Sequence, residues 1–218
     1  MDGEQYFTAS PSSDARERTI RVVLQGEEFR LRTADGVFSS EHLDTGTAVL
    51  LANVPPPATE GDLLDLGCGW GPIAIAMARR SPGASVWAVD VNERALTLAA
   101  ANARIAGVDV RGAYPQDIPA HLRFATIWSN PPIRIGKPAL HELLATWLPR
   151  LAPGGTAWLV VAKQLGGDGL QRWIADTFPD LAVSRHTTDK GFRVIRVAAP
   201  DAGARAAADR DQTSVTPE

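Results

Sequence analysis

The chain has 218 residues, 44% of them apolar, with a formal net charge of −3, which suits one α/β domain with a substantial core. Its single cysteine, Cys68, excludes an internal disulfide framework and a cysteine-built zinc site, and suggests a reducing compartment. The opening residues Met1–Tyr6 lack a basic and then apolar leader, and no apolar run approaches the roughly 20 residues of a membrane helix, so a cytoplasmic protein without membrane spans is expected.

Acidic residues are concentrated at the two ends. Residues 1–18 and 199–218 each hold four acids and two bases, and the rest holds 17 acids and 18 bases. That near-balance neither demands nor opposes nucleic-acid binding.

In chain order, residues 1–18 are polar and read as a flexible N-terminal segment. Thr19–Leu24 and Glu27–Arg32 are short strand-like runs around Gln25-Gly26, a hairpin signal. A helix is expected from Thr45 to Ala52, stopped by Pro55-Pro-Pro57, so residues 19–58 form a β-hairpin and helix appendage. From Asp62 strands and helices alternate, which predicts a parallel sheet with helices on both faces over residues 59–200. The strands are Asp62–Leu66, Ser85–Asp90, Val110–Ala113, Phe124–Trp128 and Thr156–Val161; the helices are Pro72–Arg80, Asn92–Ala106, Pro138–Leu151 and Leu170–Thr177. Leu181–Arg185 and Phe192–Ala198 are separated by too few residues for a crossover helix, so they form an antiparallel hairpin closing a seven-stranded, mostly parallel sheet. The tail, residues 201–218, has no apolar periodicity and is expected to be disordered.

Three stretches carry the chemistry. Asp65-Leu-Gly-Cys-Gly-Trp-Gly71 follows the first parallel strand and opens a helix, where Gly67, Gly69 and Gly71 let a ligand approach the main chain. The glycine spacing differs from the G-x-G-x-x-G of dinucleotide enzymes. Asp90 ends the next strand, placed either to accept from ribose hydroxyls or to face the dipole of the following helix; one carboxylate can do both. Ser129-Asn-Pro-Pro132 ends the fourth parallel strand, its prolines stiffening the chain and leaving the Asn130 side chain and the Pro131 carbonyl as acceptors. Cys68 reads as a small filler, and His42, His121, His141 and His186 share no metal-ligand spacing, so no metal is expected.

Together these motifs resemble the class I S-adenosylmethionine-dependent methyltransferases that act on amines. Gly36-Val-Phe-Ser-Ser40 and Leu43-Asp-Thr-Gly46 further resemble the small-domain guanine-N2 methyltransferases of 16S ribosomal RNA. The resemblance implies a Rossmann-like methyltransferase fold, S-adenosylmethionine as cofactor, and ribosomal RNA or the small ribosomal subunit as partner. It implies that Asp65, Gly67, Gly69, Gly71 and Asp90 surround the methionyl and ribosyl parts of the donor, with Asp117 and Ile118 at its adenine. Asn130, Pro131 and Pro132 would form the catalytic element, holding an exocyclic amine toward the sulfonium methyl. Ile133 stands where the wider family often has an aromatic residue that stacks on the target base; Phe38 is the other candidate for that stacking, unless it is buried in the appendage core. Independently of any family, the three lysines, Lys137, Lys163 and Lys190, all fall at the carboxyl edge of the expected sheet. With Arg134 and Arg193 they would make a basic rim suited to RNA phosphates. Methylation of a protein glutamine amide, and donor binding without transfer, are the alternative readings.

Overall fold

The computed structural model describes residues 16–203; the expected flexible start and disordered tail fall mainly outside them, at residues 1–15 and 204–218. Strands β1 (Glu17–Leu24) and β2 (Glu27–Ala34) form the N-terminal hairpin. Gln25 and Gly26 both take positive φ, 57° and 85°, the combination a two-residue turn needs to match the twist of its strands. Helix α1 (Thr45–Asn53) follows, capped by Asp44, whose side chain accepts from the Thr47 amide.

The main sheet is built from β3 (Asp62–Leu66), β4 (Ser85–Val89), β5 (Arg111–Ala113), β6 (Phe124–Ser129), β7 (Leu151–Ala162), β8 (Ala182–Asp189) and β9 (Phe192–Ala198). Their spatial order is β5-β4-β3-β6-β7-β9-β8, seven strands in one sheet. The first five pair in parallel, while β9 and β8 close the edge antiparallel. This is the mostly parallel sheet closed by an antiparallel hairpin that the sequence pattern predicts, and the Rossmann-like arrangement that the resemblance implies.

Successive strand residues point to opposite faces, and both faces are apolar, as a doubly covered parallel sheet requires. Leu63, Trp128 and Val160 pack with α1, α2 (Pro72–Arg80), α3 (Glu93–Ile105) and the hairpin. Leu64, Ile127 and Leu159 pack with α4 (Lys137–Trp147) and α5 (Gly167–Thr177) on the other face. Val22 and Leu31 of the hairpin, Val49 and Leu50 of α1, and Trp158 and Val194 of the main sheet share one apolar cluster. Among the described residues no helix is long and apolar enough to cross a membrane.

Three boundaries differ from expectation for identifiable reasons. Helix α4 stops at Trp147 rather than Leu151, because Pro149 lacks the amide an α-helix would use and the chain tightens into a 3₁₀ turn over Leu148–Arg150. Strand β7 begins five residues before the expected Thr156, at Leu151. It can do so because a Cβ on Gly155 would stand 2.8 Å from the Phe124 and Ala152 carbonyls, so only glycine allows this approach. The stretch expected to link the last two strands is itself mostly strand: β8 reaches Asp189, and the reversal needs only Lys190 and Gly191, with φ of 47° and 79°. His186 is skipped in the β8–β9 register, and its Nε2 lies 2.9 Å from the carbonyl of Asn53 at the end of α1.

The hairpin is fastened by a buried amide. Asn102 of α3 accepts from the Arg32 amide at 2.7 Å and donates to the Arg32 and Trp70 carbonyls, both at 2.8 Å. One side chain thus replaces the neighbouring strand that β2 lacks and also holds the loop after β3. Asn102→Ala would strand three backbone groups, and we expect a loss on the order of 3 kcal/mol, read by urea denaturation.

Candidate active site

Beyond Leu66 the chain leaves the sheet. Gly67 and Cys68 both donate to the Val89 carbonyl, at 2.8 and 3.0 Å, which extends the β3–β4 ladder into the turn. The Gly69 amide then donates to Asp90 Oδ2 at 3.0 Å, and the Asn92 amide to Asp90 Oδ1 at 3.0 Å. Both Asp90 oxygens are therefore aimed by main-chain donors, each with acceptor capacity remaining. Burial pushes the Asp90 carboxyl up, while the amides of Asn92, Gly69 and Val91 oppose the shift.

The three glycines serve different ends. Gly67 and Gly69, with φ of 77° and 53°, face open space: the nearest atom to a Cβ on Gly67 would be Pro132 Cδ at 3.9 Å, and a Cβ on Gly69 would meet nothing within 4 Å. Gly71, with φ of 90°, faces Ala99, whose Cα and Cβ would lie 3.1 Å from a Cβ at this position. Gly71 thus permits the α2–α3 packing and stays off the cavity wall.

Asp65 is also withdrawn from the wall. It is fully buried, accepts from the Ala74 amide at 2.9 Å, and its Oδ1 has no partner among the described residues. Burial raises its pKa from 3.8 to about 8, opposed by the Ala74 hydrogen bond and reinforced by the nearby Asp90 charge. Its placement makes it a support behind the glycine turn.

A cavity of about 400 Å³ opens in front of Gly67, Gly69 and Asp90, within the range of small-molecule sites. Its opposite wall is Asn130-Pro-Pro-Ile-Arg134. Ser129 Oγ donates to the Leu66 carbonyl at 2.7 Å, tying the end of β6 to the end of β3 and setting the two motifs side by side. The Asn130 Nδ2 donates to Asp44 Oδ2 at 2.7 Å and to Thr47 Oγ1 at 3.1 Å, which among the described residues leaves Oδ1 as the uncommitted polar atom of that side chain. The Pro131 carbonyl, expected to be a free acceptor, already receives the Ile133 amide at 2.8 Å. Pro132, with φ −74° and ψ 76°, makes this an inverse γ-turn, so one lone pair of that carbonyl remains.

The other expected site residues divide. Phe38 is 44% exposed and lines the cavity, which removes the alternative that it is buried in the appendage core. Ile133 and Arg134 also line it. Lys137, Lys163 and Lys190 are exposed off the wall, and the Lys163 amide donates to the Gly191 carbonyl, which sets Lys163 beside the Lys190 turn. Arg193 is a correction: it is only 6% exposed and paired with Asp168, so it is no part of a basic rim. Asp117 is exposed and Ile118 buried, and neither lines the cavity; Pro115 of the same segment does. Burial pushes the Cys68 thiol up, in keeping with a filler. Sequence reading missed Asp44, Thr47, Gln164, Leu165 and Phe192. Asp44 had a signal, since an aspartate immediately before a helical run reads as an N-cap, but a cap does not announce its second partner.

These residues suit S-adenosylmethionine: Gly67 and Gly69 leave a cradle that side chains would fill, and Asp90 presents acceptors beside it. Residues 28–196 match the methyltransferase small domain family. The chain belongs to this family of S-adenosylmethionine-dependent methyltransferases. YbxB of Bacillus subtilis (strain 168), an uncharacterized protein, is 30% identical over 197 residues, 88% of this chain and 97% of its own length. Ribosomal RNA small subunit methyltransferase C of Shewanella amazonensis is 32% identical over 160 residues, 71% of this chain but 46% of its own. The solved T. thermophilus 16S rRNA N2 methyltransferase (RsmC), in complex with AdoMet and guanosine, superposes with a TM-score of 0.73 at 21% identity, covering 87% of this chain and 52% of that one. The chain thus spans about half the length of these two methyltransferases.

The buried Asp65 has a pH signature. Between its ordinary value near 3.8 and the raised value of about 8 the unfolded chain has lost this proton while the folded one keeps it, so stability falls as pH rises through that window. Asp65→Asn removes this contribution; urea denaturation at roughly pH 5 and 8 should show a smaller decline than in the wild type.

Proposed function

We propose that this protein transfers a methyl group to the exocyclic N2 amine of guanine in ribosomal RNA of the small subunit. The observation that carries the reading is the Asn130 side chain, on the cavity wall opposite Gly67 and Gly69, with Nδ2 committed to Asp44 and Thr47. An acceptor in that place suits a substrate group that bears hydrogens.

When bound, S-adenosylmethionine supplies a methyl carbon activated by the sulfonium. An exocyclic amine attacks it poorly, because the nitrogen lone pair is delocalised into the ring. Asn130 Oδ1 accepts one amine hydrogen, and the remaining lone pair of the Pro131 carbonyl takes the other. Held this way, the amine nitrogen presents its lone pair to the methyl carbon, so rate comes from alignment and electrostatics. The new carbon–nitrogen bond would form as the methyl–sulfur bond breaks, its electron pair staying on sulfur as a neutral thioether, and the nitrogen would shed one proton to solvent. Phe38 and Ile133 offer apolar surface to the base, and Arg134, Lys137, Lys163 and Lys190 offer charge to its phosphates. The small-subunit methyltransferase C relatives support RNA as the acceptor.

The direct test supplies labelled donor to ribosomal RNA and protein from cells lacking this chain, with mass mapping of the product. Label in guanine N2 of small-subunit RNA is expected; label in a glutamine amide of protein would move the activity to the other acceptor, and absence of transfer to either would leave a donor-binding protein. Asn130→Ala should lower turnover at least about a hundredfold with donor affinity unchanged by calorimetry. Lys137→Glu with Lys190→Glu should weaken RNA binding and reduce the salt slope by roughly 1.5 to 2.

A further inference from the structure

We propose that Asp44 and Thr47, the N-cap and a first-turn residue of α1, are positioning residues that fix which way the Asn130 amide faces. The inference deepens the transfer reading above and rests on it for its effect on rate, though the geometry stands on its own.

One carboxylate oxygen, Asp44 Oδ2, receives both the Thr47 amide at 3.0 Å and Asn130 Nδ2 at 2.7 Å. Thr47 Oγ1 lies 3.1 Å from the same Nδ2. A carboxylate ion has acceptors only, so it can be met by the amide's NH2 end but not by its oxygen. Were Asn130 turned over, two oxygens would stand where the 2.7 Å bond now lies. The chemistry of Asp44 therefore decides the amide orientation and leaves Oδ1 as the acceptor.

Gly46 explains how α1 comes so close. Its φ is not in the left-handed region, but a Cβ there would stand 2.9 Å from Asp44 Oδ2, 3.0 Å from Phe192 Cε1 and 3.3 Å from Asn130 Nδ2. Residue 46 has to be small for the helix start to seat against the end of β6 and against β9.

Specificity follows. An acceptor locked in place on the cavity wall favours an amine or amide NH2 and disfavours a keto oxygen, which would meet it lone pair to lone pair. The segment before the main sheet thereby completes a site whose other parts lie at the ends of β3 and β6.

The test combines a double-mutant cycle with side-chain NMR on the full chain. Asp44→Ser keeps a capping hydroxyl but is too short to reach Asn130; it should lower kcat about ten- to a hundredfold with donor KM and melting temperature near wild type. Asp44→Asn, whose amide oxygen can accept both bonds, should restore turnover to within a few-fold. In an Asn130→Ala background Asp44→Ser should cost nothing further, and losses that multiply would overturn the inference. The Asn130 side-chain amide resonances, assigned by their disappearance in Asn130→Ala, should shift in Asp44→Ser and stay near wild type in Asp44→Asn. Resonances unmoved in Asp44→Ser overturn the inference whatever the acceptor is, whereas wild-type protein that labels no RNA overturns only the RNA reading.

Discussion

The Val89 carbonyl, shared by the Gly67 and Cys68 amides, is the constraint on which the site depends. A strand would continue past Leu66 with one amide per acceptor. Here two consecutive amides converge on one oxygen, and the chain must turn out of the sheet. That turn exposes the Gly67 and Gly69 backbone to the cavity and delivers the Gly69 amide to Asp90. Asp90 in turn holds the Asn92 amide, so the turn after β3 and the start of α3 are braced by one carboxylate. Anything bound in front of this turn meets a surface whose donors and acceptors are already oriented, which is the condition for recognition at low entropic cost.

Two buried amides give the region before the main sheet a structural part in the site. Asn102 joins β2 to the loop after β3, and Asn92 donates to the Gly36 carbonyl at 2.8 Å. The chain that follows these anchors carries Phe38 to the cavity wall and brings Asp44 to Asn130. The hairpin is therefore a lever for placing residues 36–47, and its distance in sequence from the Asn-Pro-Pro element disguises how near it lies.

Much of the fold was legible because its signals are local. Gln25-Gly26 reads as a hairpin turn, and alternating strand and helix runs as a parallel sheet. The misplaced boundaries came from non-local causes: Gly155 lets β7 start early against β6, and a two-residue reversal at Lys190-Gly191 lets β8 run longer than its polar sequence suggests. The site was legible in outline only. Gly67, Gly69, Asp90 and Asn130 share one cavity, whereas Asp65 and Gly71 lie behind the turn and Arg193 is spent on Asp168.

What the sequence determined by itself was the class of fold, the family resemblance and the motifs at the strand ends, because glycine spacing, proline pairs and hydrophobic period act over a few residues. Tertiary structure alone decided what each motif residue does. Whether a glycine faces a ligand or a helix, whether an arginine faces solvent or an aspartate, and which end of the Asn130 amide is left free all depend on groups tens of residues away. Asp44 and Asn130 are 86 positions apart, and no local pattern could have paired them.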